Sequence, residues 1–167
     1  MYAHHNGTAW TTEAIDATPY YAYDTSIDLD STGNPHISYA VYNNTGGSYN
    51  LRYSYHNGSE WVYDDIKDYR SSYWNSYSNT GKNNQIKLNG TDVPHVVFYE
   101  EYYEDVYLSV RANGTWTSSS VDDKGGFYTS SGERAISLAI DSDDGLHIAY
   151  HTRYTSSSDR YDLEYAY

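Results

Sequence analysis

One fourteen-residue pattern recurs three times without a gap, and it restricts the chain to short antiparallel strands. The copies are SIDLDSTGNPHISY (26–39), QIKLNGTDVPHVVF (85–98) and SLAIDSDDGLHIAY (137–150). Apolar residues at Ile27, Ile86 and Leu138 are followed two positions on by Leu29, Leu88 and Ile140. Next come Asp30, Asn89 and Asp141, a short turn, and a histidine at His36, His95 or His147. Each copy closes on an aromatic ring, at Tyr39, Phe98 or Tyr150. Period-two alternation on both sides of a turn is the pattern of a β-hairpin. Helical spacing is scarce, so the chain reads as all-β.

A second hairpin follows in each unit. NLRYSYHNGSEWVYDDI (50–66) alternates, turns at Asn57-Gly58, and alternates again, and Asn6-Gly7 and Asn113-Gly114 repeat the signal. Asn-Gly is expected to form a type I′ turn, where both residues take φ > 0. The units are therefore four antiparallel strands each, over 26–65, 85–123, and 137–167 together with 2–16. The last unit is split: LEYAY (163–167) matches the start of LRYSYHNG, and YAHHNGTAW (2–10) carries the remainder. The N-terminal strands are expected to complete the last unit and remove its open edge. Four-stranded units of this length read as blades of a β-propeller.

These hairpins, SIDLDSTGNPHISY followed by LRYSYHNGSEWVYDDI, resemble the sialidase-like β-propeller repeat common in bacterial and archaeal extracellular proteins. The resemblance covers nearly the whole chain and implies a scaffold outside the cell or at its surface. The intact Asp-box of sialidases, Ser-x-Asp-x-Gly-x-x-Trp, is absent. Sialidases also gather several arginines around a carboxylate, whereas the six here (52, 70, 111, 134, 153 and 160) share no repeated position. No pair of carboxylates is singled out for glycoside hydrolysis, so catalysis is not expected.

Three blades are too few for a closed propeller. A second copy of the chain is expected to complete the split unit, and two chains make a six-bladed ring. The same head-to-tail contact propagates as a filament if its rotation does not close.

In such a unit, the long connectors gather on one face and carry aromatics and hydroxyls, where function usually sits. Trp74, Tyr73 and Tyr77 lie in the longest connector; Tyr20, Tyr21, Tyr102, Tyr103 and Tyr128 lie in others. Flat rings among Asn and Ser suit sugars, and exposed aromatic patches equally mark protein contacts. Trp10, Trp61 and Trp116 recur at one position and read as packing residues, and the three histidines read as partners within the repeat. DSDDG (141–145) resembles the start of a calcium loop, which makes Asp141 and Asp143 candidate Ca2+ ligands, with Glu100, Glu101, Glu104 and Asp105 as a second set. An Asp-containing hairpin turn is the default reading of DSDDG. Asn-x-Ser/Thr triplets stand at Asn6, Asn43, Asn57, Asn89 and Asn113, glycosylation acceptors only if the chain is exported.

Composition narrows the partners. A net charge of −13 disfavours nucleic acid, no apolar run is long enough to span a bilayer, and there is no cysteine. Tyrosine, at 23 of 167 residues, builds strands with an apolar body and a polar tip. Two readings follow: a non-catalytic propeller module directed at carbohydrate, and a structural subunit of an extracellular filament or surface layer.

Overall fold

The computed structural model describes residues 1–17, 21–43, 48–66, 80–100, 105–122, 135–156 and 158–167. Their strands form four antiparallel sheets. A hairpin pairs β1 (Tyr2–His5) with β2 (Trp10–Glu13). The first full sheet runs β3 (Ala22–Leu29), β4 (Pro35–Asn43), β5 (Ser48–His56) and β6 (Trp61–Asp65). The second runs β7 (Thr80–Leu88), β8 (Pro94–Glu100), β9 (Asp105–Ala112) and β10 (Thr115–Asp122). The third has β11 (Ile136–Ile140), β12 (Leu146–Ser156) and β13 (Ser158–Ala166). Each is a meander in chain order. Among the described residues, no helix is long and apolar enough to cross a membrane.

Strand alternation gives every sheet two apolar faces, and the faces pack in series. Leu51 and Tyr53 of the first sheet meet Ile86, Val96, Phe98 and Tyr107 of the second. Val97, Tyr99 and Val106, on the other side of the second sheet, meet Ile136, Leu138, Ile148 and Tyr150 of the third. β7 lies beside both β3 and β11, so the first strands of the three sheets line up together. As an edge strand β7 carries outward N–H groups that need partners. Ile86 N donates to Ser26 Oγ (3.1 Å) and Leu88 N to Asp28 Oδ2 (2.9 Å). Equivalent bulges kink β3 and β7, each at a residue in the left-handed region, Asp24 (φ 48) and Asn83 (φ 52).

The turns differ from the expected geometry. Both turn residues have positive φ only at Asn113-Gly114, a two-residue connection between β9 and β10. At Asn6-Gly7 and Asn57-Gly58 the connection is two residues longer, and only the glycine is left-handed. There the asparagine Oδ1 accepts two backbone N–H groups, at 2.9 and 3.0 Å in both turns, and closes the loop as an Asx turn.

The N-terminal strands do not complete the third sheet within the chain. Among the described residues, β1 and β2 pair only with each other, and β13 has β12 as its one strand partner. Instead Tyr2 and Ile15 pack on Ile37, Tyr39, Val41 and Trp61 of the first sheet. A buried ion pair also ties them there. Asp16, its side chain 2% exposed, accepts from Arg52 Nη1 at 2.7 Å and from the Tyr39 hydroxyl at 3.0 Å.

Candidate functional site

Where the first sheet extends beyond the cover of the second, four tyrosines converge from three strands. Tyr42 N donates to the Tyr21 carbonyl at 3.0 Å and continues the β3–β4 pairing past Ala22. Alternation then sends the rings of Tyr23, Tyr42 and Tyr49 to one face. Ring centroids lie 5.2 Å apart for Tyr42–Tyr49, 5.5 Å for Tyr23–Tyr49, 6.3 Å for Tyr21–Tyr23 and 6.4 Å for Tyr21–Tyr42. Tyr42 and Tyr49 are half-buried, while Tyr21 and Tyr23 remain 59% and 45% exposed.

The second sheet contributes a cation. Lys82 Nζ lies 5.4 Å from the centre of the Tyr49 ring, within cation–π range. It gets there because Gly81 (φ +94) brings the start of β7 directly onto Leu51: a Cβ on Gly81 would lie 2.8 Å from Leu51 Cβ. Burial, followed by Tyr23, holds the Tyr49 hydroxyl above its ordinary pKa, so it stays a proton donor at neutral pH. The cluster therefore presents two exposed rings and several phenol hydroxyls, with the Lys82 ammonium against the Tyr49 ring. That combination suits an uncharged polyol whose C–H face stacks on a ring while its hydroxyls find donors and acceptors.

Of the residues expected to bind ligand, Tyr21 stands in this cluster. Tyr20, Tyr73, Trp74, Tyr77, Tyr102, Tyr103 and Tyr128 lie outside the described residues, as do Glu101 and Glu104. Tyr23, Tyr42, Tyr49 and Lys82 were not anticipated. They sit at strand ends bordering the longer connectors, which is the one signal of them in the sequence.

Of the candidate Ca2+ ligands, Asp141 has its carboxylate engaged in its own turn. Asp141 Oδ1 accepts from Asp143 N (2.9 Å) and Gly145 N (2.8 Å), and its Oδ2 meets His147 Nε2 at 2.9 Å. Asp30 and Asn89 cap the equivalent turns. Glu100 and Asp105 are buried opposite each other on β8 and β9. Among the described residues, no three His, Cys, Asp or Glu side chains gather to hold a metal. At Asn6, Asn57 and Asn89 the side-chain oxygen serves the turn; Asn113 is left-handed (φ 51), and Asn43 ends β4.

The repeat histidines have partners within their own sheets. His36 Nδ1 meets the Tyr53 hydroxyl at 2.6 Å with Asp30 Oδ2 3.6 Å from Nε2, and His147 Nδ1 meets Tyr165 at 2.5 Å. In the second sheet Asn89 and Leu108 replace both partners, and His95 Nδ1 turns to the Val93 carbonyl at 2.9 Å. Trp116 and Trp61 pack edge-on against Tyr53 (5.2 Å) and Tyr2 (5.3 Å). Trp10 is 69% exposed.

Burial pushes the His36 pKa below its ordinary 6.5, although Asp30 opposes the shift. Burial raises Asp30, but hydrogen bonds from Asn34 and Thr32 outweigh it and hold the carboxyl well below the usual range. Both folded values are depressed. Stability from neutral His36 is therefore full above 6.5 and lost as pH falls below that value; stability from ionised Asp30 is full above 3.8 and lost below it. Melting temperatures measured from about pH 8 down to about pH 3 are expected to fall in these two stages. A flat profile between the neutral and mildly acid points would show that His36 is not held neutral.

No family model matches the chain, and no curated protein matches its sequence. Among solved structures, a fucose lectin from Kordia zhangzhouensis, in complex with methyl-fucoside, follows a similar chain path with a TM-score of 0.52. The superposition covers 84% of this chain and 96% of the lectin's, at 13% identity. At that identity the likeness is one of fold.

Proposed function

We propose that the protein is a non-catalytic carbohydrate-binding module, with the Tyr21, Tyr23, Tyr42 and Tyr49 cluster as its sugar platform. The four converging rings carry this reading, since a half-exposed aromatic cluster beside a cation has no need to exist for packing alone. The likeness to a fucose lectin supports carbohydrate as the ligand class. In this reading the meander sheets, with their first strands side by side, are blades of a sialidase-like β-propeller. Two chains close a six-bladed ring, and the protein works outside the cell or at its surface.

The test is a glycan array followed by titration of the best ligand. Tyr21→Ala and Tyr23→Ala are each expected to weaken binding by about tenfold to a hundredfold while leaving the fold intact, as exposed aromatic contacts do. Trp74→Ala serves as the comparison in the longest connector. Equal binding by wild type and both tyrosine variants would remove the platform from consideration.

The uncovered side of the third sheet favours a second reading, a structural subunit of a filament. Leu163, Tyr165 and Tyr167 are 82%, 58% and 96% exposed there. A contact through that side builds a filament instead of a ring if its rotation does not close.

A further inference from the structure

We propose that the uncovered face of the third sheet docks on β3 of a second copy, in the groove beside that copy's N-terminal hairpin. The contact repeats the one already made between the first and second sheets. This deepens the reading of the sheets as blades by naming the surfaces that join two chains, and it is independent of the tyrosine platform.

The repeat itself shows what each exposed residue lacks. Leu163 and Tyr165 occupy the positions of Leu51 and Tyr53. Leu51 and Tyr53 are 0% and 1% exposed because the second sheet covers them; Leu163 and Tyr165 are 82% and 58% exposed. The Asp–His–Tyr chain follows the same rule. In the first sheet His36 is 7% exposed, whereas Asp141, His147 and Tyr165 make the same contacts in the open. On the opposite surface the hairpin covers Ile37 and Tyr39 but leaves β3 bare. Ile27 and Leu29 on β3 are 49% and 54% exposed, while Ile86, the counterpart of Ile27 on β7, is fully buried against the preceding sheet.

The hairpin marks where the missing strands belong. Tyr2 meets Trp61 as Tyr53 meets Trp116, edge-on with nearly the same spacing, so β1 and β2 stand as the outer half of a sheet preceding the first. Among the described residues no strand takes its inner half, and a cavity of about 240 Å³ opens there between Tyr2, Ile15, Ser26, Ile27 and Tyr39. β11 and β12 of a second copy are the inner strands that the repeat would place in it. Tyr165–Tyr167 match Tyr2–His4 in the repeat, so these two segments compete for one seat, and one must give way on docking.

A clasp between turns fixes the register. Ser31 N donates to Asp92 Oδ1 of the next sheet (2.8 Å), and Gly90 N donates to Asp144 Oδ1 of the one after (2.9 Å). The next donor in the series is Ser142 N, and the position that would receive it on a second copy is Gly33. Glycine has no carboxylate, so this joint lacks its clasp. Gly33 (φ +85) is already left-handed, as Asp92 (φ 62) and Asp144 (φ 63) are.

Light scattering on the whole chain tests the proposal, with the dissociation constant taken from a dilution series. The wild type is expected at twice the 19.1 kDa chain mass. Ile27→Arg and Leu29→Arg, both at exposed positions, are expected to weaken association by about thirtyfold or more with unchanged circular dichroism and melting of the single chain. Gly33→Asp is expected to tighten it by about tenfold through the restored clasp. A wild-type monomer, or full association by the arginine variants, overturns the proposed surfaces. No gain from Gly33→Asp overturns the register. Open-ended polymers that the arginine variants abolish uphold the surfaces and overturn the two-chain ring. Sugar binding, read separately, bears on the platform alone.

Discussion

Gly81→Ala is expected to destabilise the chain by about 4 kcal/mol, two effects adding at one position. The left-handed backbone of Gly81 strains any side chain by about 1–2 kcal/mol. The new Cβ would also lie 2.8 Å from Leu51 Cβ and 3.0 Å from its Cα, deep in the core between the first two sheets. Overpacking of that kind costs about 1–3 kcal/mol, because Leu51 is fully buried and has nowhere to move. In a melting experiment the two together correspond to a drop of about 10 °C. Gly7→Ala is the natural control: its backbone is also left-handed, but nothing lies within 4 Å of its Cβ. It is expected to cost only the strain. Equal losses at the two glycines would show that β7 does not approach Leu51 as described. Because Lys82 follows Gly81, the same variant is expected to loosen the cation from the Tyr49 ring and, on the proposed function, to weaken sugar binding more than its melting point alone predicts.

Asp16→Ala is expected to cost on the order of 3 kcal/mol and to release the N-terminal hairpin. Its carboxylate is almost fully buried and ties the Tyr39 hydroxyl and Arg52 to the segment after β2. The loss is smaller than for a charge left wholly unpaired. Arg52 keeps Asp65 at 2.7 Å and a cation–π contact with Tyr63 at 4.8 Å, and Tyr39 keeps Ser54 at 2.7 Å. Hydrogen exchange separates local from global loss. Protection is expected to fall first at β1 and β2, with β4 and β8 retaining theirs. Uniform loss across the sheets would mean that the hairpin is integral to the core and not a unit docked on it.

The strands were legible because each rests on neighbouring residues. Ile27–Leu29 and Ile37–Tyr39 alternate with period two, and Asp30, Asn89 and Asp141 each cap their own turn. The shape of the Asn-Gly turns was only half legible. The dipeptide is compatible with both geometries, and the length of the connection selects between them. The tyrosine cluster was not legible. Its rings meet through β-register and the bulge at Asp24, and Lys82 joins them through the close approach of Gly81. None of these is a property of any one segment.

The sequence by itself determined the hairpins, the places of their turns and the repetition of the unit, because alternation and turn chemistry act over a few residues. It also determined which side chains are apolar enough to need burial. Only the tertiary structure decided what buries them. Within one chain the hairpin joins no other sheet among the described residues; it packs on the first, where Asp16 meets Arg52 and Tyr39, a contact between residues far apart in the chain. Repeated segments present nearly the same surface to every neighbour, so local pattern cannot choose among them. Buried charge pairing and close backbone contact can, and they exist only once the sheets have packed.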